Sequence, residues 1–378
     1  MENKPIPDRS AAEILRFSKE IDEAGKIARF YGFQPITPPS ASKDETEKEL
    51  LLKMYLEDKM MSLSQPVMFY LERPIPGTKE ARHKRKNALK LESSLVSIGS
   101  YKSVCECLSI QTALSILRSL GHKNLEVSIN TIGDKDSMGE FQKKMSVFVR
   151  KNFNSFPADL RQASKKDLFA ILKEDKEEWK SFREDSPKSI DFLSEPSRAH
   201  FKEVLECLEI MDVCYDIDHC LVGDMNIGSE TIFSIKEDGE ELAHGFRFNR
   251  LAKKIGWKRD IPATTLDISV KLKRPLKKVK AKSVSPQFYL VQFGPEAKLK
   301  SFLVLDELYK AGVSVVHSIA KDKLGSQIGV AETSEAPYIL LLGQKEALEN
   351  SVVLRNTQTR AQHTVLIKDL AEKVKELV

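Results

Sequence analysis

Residues 271–286, KLKRPLKKVKAKSVSP, hold seven Lys or Arg, two prolines and no acidic residue. Such a stretch has little to bury, and each proline removes a backbone donor, so it is expected to form no core element. It therefore divides the chain into a unit at 1–270, a basic linker at 271–286 and a unit at 287–378. A length of 378 residues suits two or three domains of about 100–200 residues each. Hydrophobic residues at 41% leave material for real cores, and charged residues at 30% a solvated surface.

The pattern changes across that divide. After the linker, FYLVQF reads as a strand, 298–311 as a helix and VSVVHSI as a strand. A helix start at 325–333 follows, then the apolar strand YILLLG, a short turn opened by Glu346, the strand VVLRN and a closing helix at 366–378. Apolar strands alternating with helices predict a small α/β unit with a mixed sheet. Before the linker, apolar spacing predicts a helix over 11–31 closed by Gly32, then a Met-rich helical stretch at 43–62. Strands are expected at 66–71, 91–98 and 125–129, with a helix over 107–120 between the last two. A polar helical insertion covers about 135–200, a helix follows from 201, and further strands run through 231–235. This arrangement predicts an α+β core with an antiparallel sheet rather than a doubly wound one.

Composition excludes several classes. No run approaches the ~20 apolar residues of a membrane span, and the polar opening MENKPIPDRS is read as no secretory leader. The five cysteines are odd in number and form no C-x-x-C pair, so idle thiols in a reducing cytoplasm are expected rather than zinc or disulfides. No His/Cys/Asp cluster has metal-ligand spacing, and neither a P-loop nor a G-x-S-x-G elbow is present. His219 and His244 are expected to be satisfied histidines, and His200 a helix-surface residue. Net charge is only +5, but it is unevenly placed. Lys79, Arg82, Lys84, Arg85, Lys86 and Lys90 crowd a segment whose one acid is Glu80. That loop, like the linker, is either a solvated charge run or a phosphate contact strengthened by counterion release.

The order of segments resembles the histidyl-tRNA synthetase family, class II aminoacyl-tRNA synthetases. ARFYGFQPITPPS (28–40) resembles motif 1, FYLERPIPG (69–77) the opening of motif 2, and LRSLGHKNLEVSINTIGD (117–134) the helix, strand and turn that follow. IDFLSEPSRAHFKEVLECLE (190–209) is similar to the lead into the histidine-binding region, with LVGDMNIGSETIF (221–233) and HGFRFNRLAKKIG (244–256) where the two histidine motifs belong. Residues 312–347 and 355–365 are similar to the anticodon-binding domain these enzymes share.

The resemblance implies a class II core, a cytoplasmic homodimer paired through Gly32 and Pro39, and tRNA as partner. Arg82, Lys84, Arg85 and Lys86, together with Gln327, Glu346, Arg355 and Gln362 on the C-terminal domain, become candidate tRNA contacts. Glu72, Arg73, Gly245 and Arg247 become remnants of the pocket. Glu72 and Arg73 could instead be a structural ion pair or loop edge, and Arg247 a satisfied surface arginine. The family's activity would be histidine–tRNA ligation with ATP and Mg2+.

The cationic residues that this chemistry needs are missing. Tyr70 stands at the motif 2 arginine, Gly223 at the arginine before Gly-Leu-Asp-Tyr-Tyr, and IPATTLDISVKL (261–272) at motif 3 ends without one. The Leu-Arg-Pro-Glu-Gly-Thr segment has no counterpart in 41–68. Lys271 could stand in, without the planar fork of a guanidinium. Each lost donor would cost about 3–4 kcal/mol at the transition state. Three readings are therefore carried: a noncatalytic tRNA-binding or regulatory paralogue, a divergent active ligase, and a histidine-sensing regulatory subunit of ATP phosphoribosyltransferase.

Overall fold

Alternation along each strand and the cross-strand register decide which side chains share a face. Here they give one long sheet a helix-packed back and a roofed front. The computed structural model describes residues 16–38, 41, 45–57, 60–63, 65–76, 78–82, 89–281, 285–320 and 324–377. Strand β1 (Glu20–Ile21) leads into helix α1 (Glu23–Phe30), β2 (Gln34–Pro35), helix α2 (Glu47–Glu57), β3 (Val67–Glu72) and β4 (Lys90–Ile98). Helix α3 (Val104–Ser119), β5 (Leu125–Thr131), α4 (Lys135–Asn152), α5 (Ala158–Lys166) and α6 (Glu195–Ile210) follow, then β6 (Tyr215–Ile217), β7 (Ser229–Glu237), β8 (Glu240–Arg247) and β9 (Ala263–Lys271). The sheet order is β2-β3-β4-β9-β8-β7-β5-β6. Its interior pairs are antiparallel and the edge pairs β2–β3 and β5–β6 are parallel.

Leu95, Leu266 and Ile268 lie on the back with Val127, Ile129, Phe233 and Ile235, all in one apolar cluster with α3 and α6. Helix α3 is buried from Val104 through Leu117, as a helix enclosed on both sides must be. Its hydroxyls return to its own carbonyls (Ser109 to Cys105, Thr112 to Leu108), so polar side chains survive there.

On the front, α2 covers β3, β4 and β9 through Leu51, Leu52, Phe69, Val96 and Ala263. The insertion covers β5 and β7 through Phe141, Trp179, Ile132 and Ile232. Phe246 is half-buried against both coverings. The insertion has its own apolar cluster, although its sequence is charge-rich. Its surface lysines pair with nearby acids, as in Lys173–Asp167 and Lys176–Asp159, while Phe141, Met145 and Val149 recur every four residues along α4.

Beyond β9 the strap carries β10 (Val279–Lys280). The second unit then runs β11 (Phe288–Gln292), α7 (Pro295–Ala311), β12 (Val315–His317), α8 (Leu324–Thr333), β13 (Tyr338–Leu342), β14 (Ser351–Asn356), β15 (Gln362–Leu366) and α9 (Leu370–Lys375). Its sheet is mixed, ordered β12-β11-β13-β14-β15, with parallel pairs around β11 and antiparallel ones at β13–β14–β15. Helix α7 packs on the first unit: the Gln111 amide donates to Phe302 O at 2.9 Å, and Tyr309 meets Phe30 at 5.3 Å between centroids. Among the described residues no helix is long and apolar enough to cross a membrane.

The expected α+β core and mixed-sheet α/β unit are thus present, and three local expectations change. The helix predicted over 11–31 begins only at Glu23, because the Asp22 carboxylate caps it by accepting from Gly25 N at 2.8 Å. Just before it Phe17 bridges Ile36 and β1 forms; residues 11–15 lie outside the described residues. The linker is not merely a tether, since β10 pairs with β1. Strand β15, absent from the sequence reading, is an exposed edge strand (QHTVL) with little apolar alternation to announce it.

Candidate functional site

The front face is where the first unit gathers charge. Arg73 follows β3 and donates from Nε to Glu47 at 2.5 Å, while its Nη1 lies 3.0 Å from Asp267 on β9. Glu47 opens α2 and also accepts from Ile75 N at 2.8 Å. Asp267 further accepts from Ser94 Oγ at 2.6 Å, Thr265 Oγ1 at 3.1 Å and Lys48 at 3.3 Å. Lys48 sits 5.3 Å above the Phe246 ring. Burial pushes the Asp267 carboxyl up, but Lys48, Arg73 and the two hydroxyls outweigh it and hold it below its ordinary value. Burial likewise opposes the Arg73 charge, and Asp267 and Glu47 more than restore it. Two cations thus meet two carboxylates, and the cluster neutralises itself.

Around it the other charges are matched too. Glu72, half-exposed, pairs with Lys278 of the strap at 2.6 Å, and Lys90 with Glu92 at 3.0 Å. Tyr70 faces the back, opposite Leu95. Burial pushes its hydroxyl well up, so it is a neutral phenol there. Lys271 is 85% exposed at the sheet's end, 3.9 Å from Glu240. Gly223 adopts φ +55° beside Ile232. It lines a crevice of about 680 Å³ with Leu172, Arg183 and Cys220, where Arg183 is paired with Asp175 at 2.5 Å.

Two remnants expected in the pocket point the other way. Arg247 is not a surface arginine: it is 0% exposed and turned to the back. Its Nε and Nη2 reach the Glu106 carboxylate at 2.8 and 2.5 Å, and Nη1 and Nη2 reach Ser100 O and Lys102 O at 2.8 and 3.0 Å. Its fork is therefore committed to α3 and the loop before it. Burial raises the Glu106 carboxyl, yet Arg247 and His200 outweigh it and hold it down to about 2. His200, expected on a helix surface, is instead half-buried, 2.9 Å from Glu106 Oε1. Gly245 is held by packing, since a Cβ there would stand 2.3 Å from the Phe233 ring and 2.9 Å from Thr265 O.

On the second unit, Gln327 is fully buried, its amide accepting from Gln292 N at 3.1 Å and donating to Gln292 O at 2.9 Å. It therefore serves the end of β11 and presents no edge to a base. Glu346 accepts from Gly343 N at 3.0 Å as the cap of a short helix. Arg355 and Gln362 are direct cross-strand partners on β14 and β15, half-buried and exposed respectively. They are the pair among these four that stands side by side. Gly32 turns the chain at φ +92°, and its Cβ position lies 3.2 Å from the His317 ring of the second unit. Pro39, Lys84, Arg85, Lys86 and the Arg82 side chain lie outside the described residues.

The antiparallel core with its appended mixed-sheet unit is a class II synthetase-like fold. The S. aureus histidyl-tRNA synthetase, solved without ligand, superposes with a TM-score of 0.50 over 93% of both chains at 19% identity, a likeness of fold. Residues 287–377 match the family described as Anticodon binding domain. The chain is 25% identical over 335 residues to the histidine–tRNA ligase of Listeria innocua, covering 86% of this chain and 78% of that one. It is 26% identical over 345 residues to that of Halothermothrix orenii, covering 87% and 80%. These likenesses support membership of the histidyl-tRNA synthetase family.

Proposed function

We propose that this protein is a tRNA-binding member of the family that does not activate histidine, and that its role is regulatory or adaptor-like. The observation that carries the proposal is the self-neutralised front face. Amino-acid activation builds negative charge on the ATP phosphates and needs fixed positive charge to meet it. Among the described residues Arg73 and Lys48 are both matched by Glu47 and Asp267, and Arg247 faces the opposite side. Helix α2 and the insertion also cover the face where a substrate would lie. In this reading the anticodon-type unit contacts unstacked RNA bases through Arg355 and Gln362, as amide and guanidinium groups can. The chain pairs as a homodimer through residues 28–40, in the cytoplasm.

The test is equilibrium binding with the intact protein. Labelled tRNA should bind in a salt-dependent manner and weaken about tenfold on combining Arg355→Ala with Gln362→Ala, a loss of the size of one good polar contact. ATP with histidine should give no saturable heat. Saturable ATP and histidine binding with no tRNA binding would overturn the proposal. One observation favours a second reading, a divergent histidine–tRNA ligase using ATP and Mg2+: Arg73 remains a guanidinium on the front face, next to a carboxylate that a substrate could displace.

A further inference from the structure

The strap between the two sheets, residues 271–281, crowds cations into a short stretch without an acidic residue. Several exposed lysines elsewhere have an acid within reach, as in Lys310 with Asp306 and Glu307, or Lys373 with Glu376. On the strap Lys273, Arg274, Lys277 and Lys280 are exposed, and no carboxylate pairs with any of them among the described residues. A run of unmatched like charges repels itself and is normally left loose.

This run is instead pinned. Leu272 N donates to Leu89 O at 2.8 Å, and Ala281 N donates to Lys19 O at 2.9 Å. Val279 and Lys280 pair with Ile21 and Glu20. Leu272 and Leu276 turn inward onto the core, and Lys278 is tied to Glu72. The strap also walls a cleft at the end of the large sheet, lined by Lys19, Arg73 and Lys90 and by the acids Glu20, Asp22, Glu72 and Glu92.

We infer that residues 273–280 form a fixed cationic surface that contacts the phosphate backbone of RNA, separately from the C-terminal unit. The inference rests on the tRNA-binding reading and adds a second, sequence-independent contact to it. Pinning matters because an ordered row of cations loses little conformational entropy when it meets a row of phosphates. An anionic lipid surface is the weaker fit. A surface-bound segment needs an apolar side to enter the bilayer, and here the two leucines face the core while Val279 alone is exposed. Backbone contacts position a nucleic acid without reading its sequence, so the strap should hold helical RNA of any sequence.

The experiment measures affinity of the full chain across about 50 to 200 mM salt, because each phosphate contact contributes about 0.7 to 0.9 to the slope of log K against log salt. The probes are a tRNA transcript and a short RNA hairpin without an anticodon loop. The strap variant combines Lys273→Ser, Arg274→Ser, Lys277→Ser and Lys280→Ser. A charge-keeping control carries Lys273→Arg, Lys277→Arg and Lys280→Arg, and a face variant carries Arg355→Ala and Gln362→Ala.

The strap variant is expected to lose about 2 to 3 units of slope on both probes and about tenfold or more in hairpin affinity. The control should keep both, and the face variant should lose tRNA affinity but not hairpin affinity. Unchanged slopes in a strap variant with wild-type melting behaviour would overturn the strap inference alone, leaving the tRNA-binding reading intact. If the strap variant melts early, equal slopes for wild type and a single Lys277→Glu substitution would overturn it instead. No binding of either RNA by the wild type would overturn both. Binding to phosphatidylserine vesicles that exceeds hairpin binding at equal salt would assign the surface to lipid and overturn the RNA assignment.

Discussion

Two arginine–carboxylate clusters sit on opposite faces of the same sheet and illustrate different fates of a functional motif. On the back, Arg247 and Glu106 are both 0% exposed, and every guanidinium nitrogen has a protein acceptor. On the front, Arg73 is 13% exposed and Asp267 19%, and their cluster joins a helix to the sheet that it covers. The back pair holds α3 to β8, with both side chains out of contact with solvent. In the proposed reading the front cluster lies where a ligand would enter, and its cations are matched by carboxylates of its own. A family arginine thus marks a site only if its face is known.

The contrast can be broken from the back first. Arg247→Met leaves Glu106 buried without its partner and should destabilise the fold by about 3–5 kcal/mol, read as a lowered denaturant midpoint. Acid tests the same pair. Glu106 is held at about 2 against an ordinary 4.5, so its folded carboxyl titrates lower than its unfolded one. The contribution is complete above about pH 4.5 and drains away as pH falls toward about 2, on the order of 3 kcal/mol in all. Urea melts between neutral and acid pH should show this slope, and Glu106→Gln should flatten it.

The front cluster should respond less, because solvent reaches it. Arg73→Ala is expected to cost about 1–3 kcal/mol through the orphaned Glu47 and Asp267, read as a smaller drop in the denaturant midpoint. The smallest effect belongs to Lys48→Ala, under about 1 kcal/mol, a partly exposed pair with one cation–ring contact. If Arg73→Ala proved more costly than Arg247→Met, the assignment of back as structural and front as a closed site would be reversed.

What the sequence revealed follows from the range of the interactions. The apolar strands FYLVQF and YILLLG and the α3 periodicity are local, and both fold classes are legible in them. The front cluster is not local: Asp267 lies 219 residues from Lys48 and 173 from Ser94. No window that contains Asp267 hints at its partners. The burial of Arg247 is hidden from the sequence for the same reason, its partner being 141 residues away. One signal was available there. Glu106 stands between Cys105 and Cys107 in an apolar helical stretch, and a carboxylate so placed needs a buried cation. Gln327 similarly looked like a reader of bases, because a buried amide that serves a strand's backbone leaves no trace in composition.

Pyrophosphate exchange dependent on both histidine and ATP tests the central claim most directly. With the purified, folded protein the account predicts exchange no greater than without histidine, at any ATP and Mg2+ concentration, and no gain on releasing the front face with Lys48→Ala. Histidine-dependent exchange above that background would show that the front face does admit the reaction, and would contradict the account of it as a closed, self-neutralised surface.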